Sequence, residues 1–277
     1  MISLARCQPN LGTYVEISVS GDVSEDELIF ASNAAFLKIK LVQSLMSFHD
    51  EESELTRINR YAAREPVPIS LETKFVLEQA LWLSEKTDGL FDITVAPKLV
   101  ASKALPNHNF DLSPTGTWRD IVIIDNEVRF TKPLLLDLGG IAKGYAVDQA
   151  INAVDDSINI TVNAGGDLRM RPWRGNQVEV RHPRSPHSES IQIQMKNRAV
   201  ATSATYYSEN GVVIVSKEPS ASINPNENIS VSVFAKDCLL ADALTKVAYL
   251  DPDMIKKSVF PDIEFMTLDS NNVINWY

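Results

Sequence analysis

Residues 136–148 read LDLGGIAKGYAVD, where an apolar run meets a glycine pair and a helix-compatible segment follows. The residues up to Leu136 have the pattern of a buried strand, and Gly139-Gly140 has the pattern of a turn. A strand that turns into a helix at glycines leaves backbone N–H groups without helical partners, and the helix dipole adds positive potential there. Both favour an anion such as a phosphate. Lys143 adds a cation at this point, and Asp137 adds a carboxylate. A carboxylate beside a phosphate is repulsive unless a metal ion or a hydrogen-bond donor lies between them. The stretch therefore fits a phosphorylated ligand with a divalent cation, or simply a glycine-rich turn. Neither GxxxxGK[ST] nor GxGxxG occurs to decide between them.

Outward from this stretch, the chain before it reads mainly as helix. TYVEISV, residues 13–19, alternates like a half-buried strand. Ser24 with Glu27 then forms a capping box for a long amphipathic helix to about Phe48, with Leu28, Ala31, Ala35, Ile39, Val42 and Leu45 on its apolar face. Ser53 opens a short helical turn through Asn59. Ser70 caps a helix that ends near Gly89, with Phe75, Ala80, Leu81 and Leu83 as expected core. Residues 100–119 look irregular, and 120–132 read as a hairpin turning near Asn126. The chain after the stretch is strand-rich: INITVNAGG, QVEVRHP, SIQIQM, AVATSA, GVVIVSK and NISVSVFA all read as strands. A helix near Leu239–Leu250 and a final hairpin, EFMTLDSNNVINW, close it. With helices early, strands late and little βαβ alternation, the expected class is α+β with largely antiparallel sheets and flanking helices. No repeat, linker or low-complexity segment divides the chain, so one domain over residues 1–277 is expected.

The composition narrows the function. A net charge of −10, from 26 basic and 36 acidic residues, repels phosphate at long range and argues against nucleic acid or an anionic membrane as partner. A phosphate ligand must then be held locally. Cys7 and Cys238 are the only cysteines, so neither a disulfide framework nor a CxxC zinc site is indicated. No run approaches the roughly 18 apolar residues of a membrane span. The N-terminus lacks the apolar core of a signal peptide, and Arg6 before Cys7 argues against a lipid anchor. As written the chain reads as cytoplasmic; a periplasmic protein with its export signal already removed would read the same.

Four further segments could carry chemistry. GLFDITVAPKL begins at Gly89, expected in the left-handed conformation after a helix end, with Phe91 and Asp92 on the exit turn. NAGGDLR, residues 163–169, puts two glycines at a strand end with Asp167 and Arg169 beyond. ATSAT, residues 201–205, offers the hydroxyls of Thr202 and Ser203 at another strand end. ADALTK, residues 241–246, places Asp242, Thr245 and Lys246 on one helical turn, where their side chains can converge. A carboxylate with a hydroxyl supplies the hard oxygen ligands that Mg²⁺ takes when it bridges to phosphates; equally, Asp242 could simply favour a helix start.

The ordered set LGT, MSFHDEESELTRIN, GLFDITVAPKL, LDLGGIAKGYAVD, VNAGGDLR, ATSAT and ADALTK resembles the ApbE-like family of flavin transferases, from Leu11 to about Leu250. The resemblance implies a compact α+β domain. It also implies a reaction, in which FAD and Mg²⁺ bind, the FMN moiety passes to a Thr or Ser hydroxyl of an acceptor protein, and AMP leaves. It implies FAD contacts at Leu11 (usually Met in this family), His49 (an aromatic Tyr position), Leu90, Phe91, Asp92, Asp137 and Lys143, with Asp167, Thr202 and Ser203 in the same pocket. It implies metal ligands at Asp242 and Thr245 and the backbone carbonyl of Gly140, with Lys143 and Asp242 serving the chemistry. An FAD pyrophosphatase giving FMN and AMP, or a non-catalytic FAD-binding protein, would share these features.

Two positions depart from the family pattern. An HxxDP segment is usual after the TSG-like segment, but residues 211–219 read GVVIVSKEP. The family also has Thr four residues after the metal-binding Asp; here that residue is Lys246. Such an ammonium would shift the metal or replace part of its charge. Among the histidines, His182 and His187 sit in a Pro-rich loop without an evident third metal ligand, and His108 reads as a solvated loop residue.

Overall fold

The structure, a computed structural model, describes residues 1–182, 190–204, 230–257, 260, 262–269, 271 and 273–277. The expected strands that fall on the described residues of the second half form, with antiparallel pairings; GVVIVSK lies outside the described residues. Strands β1 (Ile2–Asn10), β2 (Thr13–Gly21), β6 (Asn159–Ala164), β7 (Asp167–Arg171), β10 (Ala199–Ala204), β11 (Ser230–Ala235), β12 (Glu264–Leu268) and β13 (Ile274–Trp276) make one sheet in the order β1-β2-β6-β7-β10-β11-β12-β13. Sequence reading did not anticipate β1. It is an edge strand whose side chains, apart from Asn10, are exposed or half-buried, so it lacks the apolar alternation that marks β2, where Val15, Ile17 and Val19 are buried. Leu11 and Gly12 join the two strands with φ of 56° and 70°, the geometry of a two-residue hairpin turn.

A second hairpin, β8 (Gln177–Arg181) with β9 (Ser190–Gln194), packs Val180 and Ile193 against Val200, Phe234 and Met266 of the large sheet. Two helices hold the site on this sheet. Helix α5 (Ala142–Asn152) follows the glycine turn, and α6 (Cys238–Leu250) packs on β10 and β11. They approach so closely that a Cβ on Gly144 would lie 2.2 Å from the Cys238 carbonyl oxygen; only glycine allows it. A short helix, α7 (Pro252–Lys257), follows α6.

Residues 41–142 form their own compact unit, separate by contacts from the described residues of 1–40, 143–213 and 219–277. It holds α2 (Glu54–Tyr61), α3 (Leu71–Lys86), α4 (Ala96–Ala101) and a small sheet, β3 (Val67–Pro68), β5 (Glu127–Phe130) and β4 (Ile121–Ile124), in that order. The expected caps are in place, with Ser53 accepting from the Thr56 N–H and Ser70 from the Thr73 N–H. On α3, Ala80 and Leu83 are buried as expected and Leu81 is half-buried, but the rest of the core face differs. Val76 and Leu77 are buried, whereas Phe75 is 45% exposed.

Helix α1 (Glu25–Met46) starts at the Ser24–Glu27 capping box, in which the Ser24 N–H donates to Glu27 and the Glu27 N–H to Ser24 Oγ. Contrary to the sequence expectation, this helix is long and apolar enough, by length and composition alone, to cross a membrane. Leu28, Ala35, Ile39 and Val42 on it are buried within the protein.

Candidate active site

The strand expected before Gly139 does not form. Residues 133–138 run without a strand partner although Leu134, Leu135, Leu136 and Leu138 are buried. The reason lies in where the backbone hydrogen bonds go. The Asn59 side chain takes both polar groups of Leu136, and the Asp137 N–H donates to the Ile93 carbonyl. Nor is the Gly139 N–H left open for a ligand, because Asp137 Oδ2 accepts it at 3.2 Å. Gly140 lies in the same turn, three residues before Lys143.

In the first half of the chain, Gly89 has φ of 73° as expected, its N–H donating to the Ser84 carbonyl. Phe91 is buried, and Leu90 and Asp92 are half-buried. Asp92 accepts from the N–H and hydroxyl of Thr94, which steadies the entry to α4. His49 is exposed. His108 is not solvated: its ring is packed against Phe48 and Phe110, Nε2 lies 2.7 Å from the Phe48 carbonyl and Nδ1 3.3 Å from Glu51. It ties the loop around it to the turn after α1.

The ionised groups converge where α5, β7 and α6 meet. Lys143 Nζ donates to Asp167 Oδ2 at 2.5 Å and to Asp242 Oδ2 at 3.3 Å, and the Gly144 N–H donates to the same Asp242 oxygen at 3.2 Å. Lys246, one turn on from Asp242, donates to Asp242 Oδ1 and to its backbone carbonyl. The Thr245 hydroxyl donates to that carbonyl at 2.7 Å and pairs with Ser203 Oγ at 2.8 Å. Thr202 Oγ1 lies 2.9 Å from Ser232 Oγ, and the Thr202 N–H donates to the Gly166 carbonyl. Thr202 thus lines a cleft with Thr13, Tyr14, Gly165, Gly166 and Leu168. Lys143, Asp167, Ser203, Asp242, Thr245 and Lys246 form one network.

Burial and charge oppose each other here. Burial works against the Lys143 ammonium, but the Asp167 and Asp242 carboxylates outweigh it and hold its pKa above the ordinary lysine value. Burial also works against ionised Asp242, yet Lys143 and Lys246 win and hold its carboxyl below the usual range. Asp167 goes the other way, raised by burial and by the Asp242 charge. The four charges sum to zero, and Asp242 is the anion that both ammonium groups share.

Sequence reading passed over the residue that sets α6 in place. Asp148 on α5 accepts the Cys238 and Leu239 N–H groups, each at 2.9 Å, while Arg169 donates to it at 2.6 Å. Asp237 occupies the N-cap position but makes no side-chain cap bond, so a carboxylate from another helix does the capping. Only the closing Asp of LDLGGIAKGYAVD hinted at this.

The Mg²⁺ that the family resemblance implies can be tested against these atoms. Of the oxygens expected to bind it, both Asp242 carboxylate oxygens already accept N–H donors, two of them ammonium groups, and Thr245 Oγ1 is engaged with Asp242 and Ser203. No group of three His, Cys, Asp or Glu side chains among the described residues is placed to hold a metal. The arrangement does not fit a resident divalent cation at Asp242. His182 is buried, and His187 and residues 211–219 lie outside the described residues.

The chain combines an α+β fold with a carboxylate–ammonium cluster between two helices and a strand end. The profile of the ApbE family matches residues 11–259. The FAD:protein FMN transferase of Vibrio cholerae is 30% identical over 231 residues, covering 73% of this chain and 68% of that protein. The Escherichia coli K12 protein of the same name is 25% identical over 289 residues, covering 90% of this chain and 79% of its own. The crystal structure of the ApbE protein from Thermotoga maritima matches with a TM-score of 0.78 at 27% identity, covering 99% of this chain and 96% of that one. This chain belongs to the ApbE family.

Proposed function

We propose that this chain is an FAD:protein FMN transferase that moves the FMN moiety of FAD onto a Thr or Ser hydroxyl of an acceptor protein and releases AMP. The acceptor oxygen forms a bond to the FMN phosphorus, the bond from that phosphorus to the bridging oxygen breaks, and AMP departs with that oxygen. The hydroxyl proton passes to solvent or to a base on the acceptor side. Such a reaction needs positioning and charge neutralisation more than covalent catalysis. The observation that carries the reading is Lys143, held by Asp167 and Asp242 at the start of the helix that follows the glycine pair. Its half-buried ammonium, kept charged by both carboxylates, suits the developing charge on the diphosphate. The shared name of the relatives from V. cholerae and E. coli supports the same activity.

FAD hydrolysis to FMN and AMP is the second reading, favoured by the absence of any His in residues 211–219 to activate an acceptor hydroxyl. The deciding experiment incubates the protein with FAD, with and without a protein carrying a Ser/Thr acceptor site, and resolves all products by mass. An acceptor that gains the mass of FMN with matching AMP supports transfer. AMP formed equally without acceptor supports hydrolysis instead.

A further inference from the structure

We infer that Lys246 supplies, from within the protein, the positive charge that a divalent cation would bring to the diphosphate, so that this chain binds FAD without Mg²⁺; this rests on the flavin-transfer reading above. Lys246 lies four residues after Asp242 on α6 and grips two oxygens of that one residue, Oδ1 and the backbone carbonyl. Asp242 Oδ2 is filled by Lys143 and the Gly144 N–H, and the Thr245 hydroxyl is spent on Asp242 and Ser203. Mg²⁺ demands near-octahedral oxygen at about 2.0–2.1 Å. Here it would have to expel an ammonium group from each side of a fully buried carboxylate.

The same bonds leave the two ammonium groups suited to a phosphate. Each Nζ has three N–H donors. Among the described residues, Lys143 spends two on Asp167 and Asp242, and Lys246 spends two on Asp242. One donor on each remains, on side chains that are 31% and 24% exposed. Asp242 thereby holds two cations side by side, as a metal-binding carboxylate holds one ion. An Asp–Mg²⁺ site would carry one more positive charge than the Asp242–Lys246 pair. Mg²⁺-independence is therefore the expectation, with no gain in affinity.

The test uses Mn²⁺ as metal probe, followed by electron paramagnetic resonance, and FAD binding followed by flavin fluorescence in EDTA and in millimolar Mg²⁺. In the wild type, Mn²⁺ is expected to stay free and FAD affinity to be the same in both buffers. Lys246→Thr restores the family residue and removes the ammonium; it is expected to bind Mn²⁺ and to lose FAD affinity in EDTA by about tenfold or more, regained with Mg²⁺. Lys246→Arg keeps the charge and is expected to bind FAD in EDTA. Stoichiometric Mn²⁺ binding by the wild type, or FAD binding strengthened about tenfold by Mg²⁺, overturns the inference. If Lys246→Thr fails to fold, the wild-type measurements alone decide it. If no FAD binds in either buffer, the flavin reading falls, while the Mn²⁺ comparison of wild type and Lys246→Thr still decides the cation site.

Discussion

Asn59 on α2 closes both backbone hydrogen bonds of Leu136, 77 residues away in sequence: it accepts the Leu136 N–H at 2.7 Å and donates to the Leu136 carbonyl at 2.9 Å. One side chain thus does the work of a neighbouring strand for the segment leading to the Gly139-Gly140 turn. Replacing it with Leu leaves two buried backbone groups without partners, at about 1–3 kcal/mol each. Asn59→Leu is expected to lower the urea midpoint of unfolding accordingly. A midpoint equal to the wild type would show that the two groups find other partners.

Gly144 sets the spacing of α5 and α6. A methyl group there meets backbone at 2.2 Å and 2.6 Å, which a rotamer change cannot relieve. Gly144→Ala is expected to destabilise by about 3 kcal/mol and to weaken FAD binding, because Asp242 also takes the Gly144 N–H. Thermal unfolding and flavin fluorescence read the two effects.

Asp148 should matter for the site without touching it. Asp148→Ala removes the acceptor for two helix N–H groups and leaves the half-buried Arg169 without its anion; a loss of about 3 kcal/mol is expected. Asp148→Asn keeps one acceptor oxygen and is expected to fall between Ala and wild type. Equal stability of the two variants would contradict a capping role.

Asp242→Ala removes the anion shared by Lys143 and Lys246. Under the proposed function, AMP release from FAD is expected to disappear. Turnover at the wild-type rate would remove Asp242 from the chemistry.

The pH dependence has a legible contribution at Asp120. The Thr117 N–H, with the Thr131 hydroxyl, holds its carboxyl at about 2, below the ordinary 3.8. A folded pKa below the unfolded one means that this group stabilises the fold above pH 3.8 and that the contribution is lost as pH falls through about 2. Asp120→Asn is expected to be less stable than wild type near neutrality and to converge with it at the acid end. Parallel stability curves across that range would sink the assignment.

Much of this was legible without coordinates because it depends on local physics. The caps at Ser24, Ser53 and Ser70 follow from side chains reaching amides three residues on. The alternation of β2 and β6 follows from one face meeting the core. The motifs around Lys143, Asp167, Thr202 and Asp242 were legible because each ends or begins an element of recognisable pattern. Other features were not legible. The apolar run up to Leu136 reads as strand, since burial looks alike whether a neighbouring strand or one Asn satisfies the backbone. His108 reads as solvated, since nothing near it in sequence shows Phe48 covering its ring.

By itself, then, the sequence determined the family, the α+β class and the residues that carry the charge, because composition, periodicity and ordered motifs are properties of the chain. Only the tertiary structure decided how that charge is distributed. Asp242 could have held a metal, capped a helix or faced solvent on the same local pattern. That it instead takes two ammonium groups, one of them (Lys143) shared with Asp167, follows from α5, β7 and α6 arriving at one buried point, where each unpaired charge is costly and every carboxylate oxygen must find a donor.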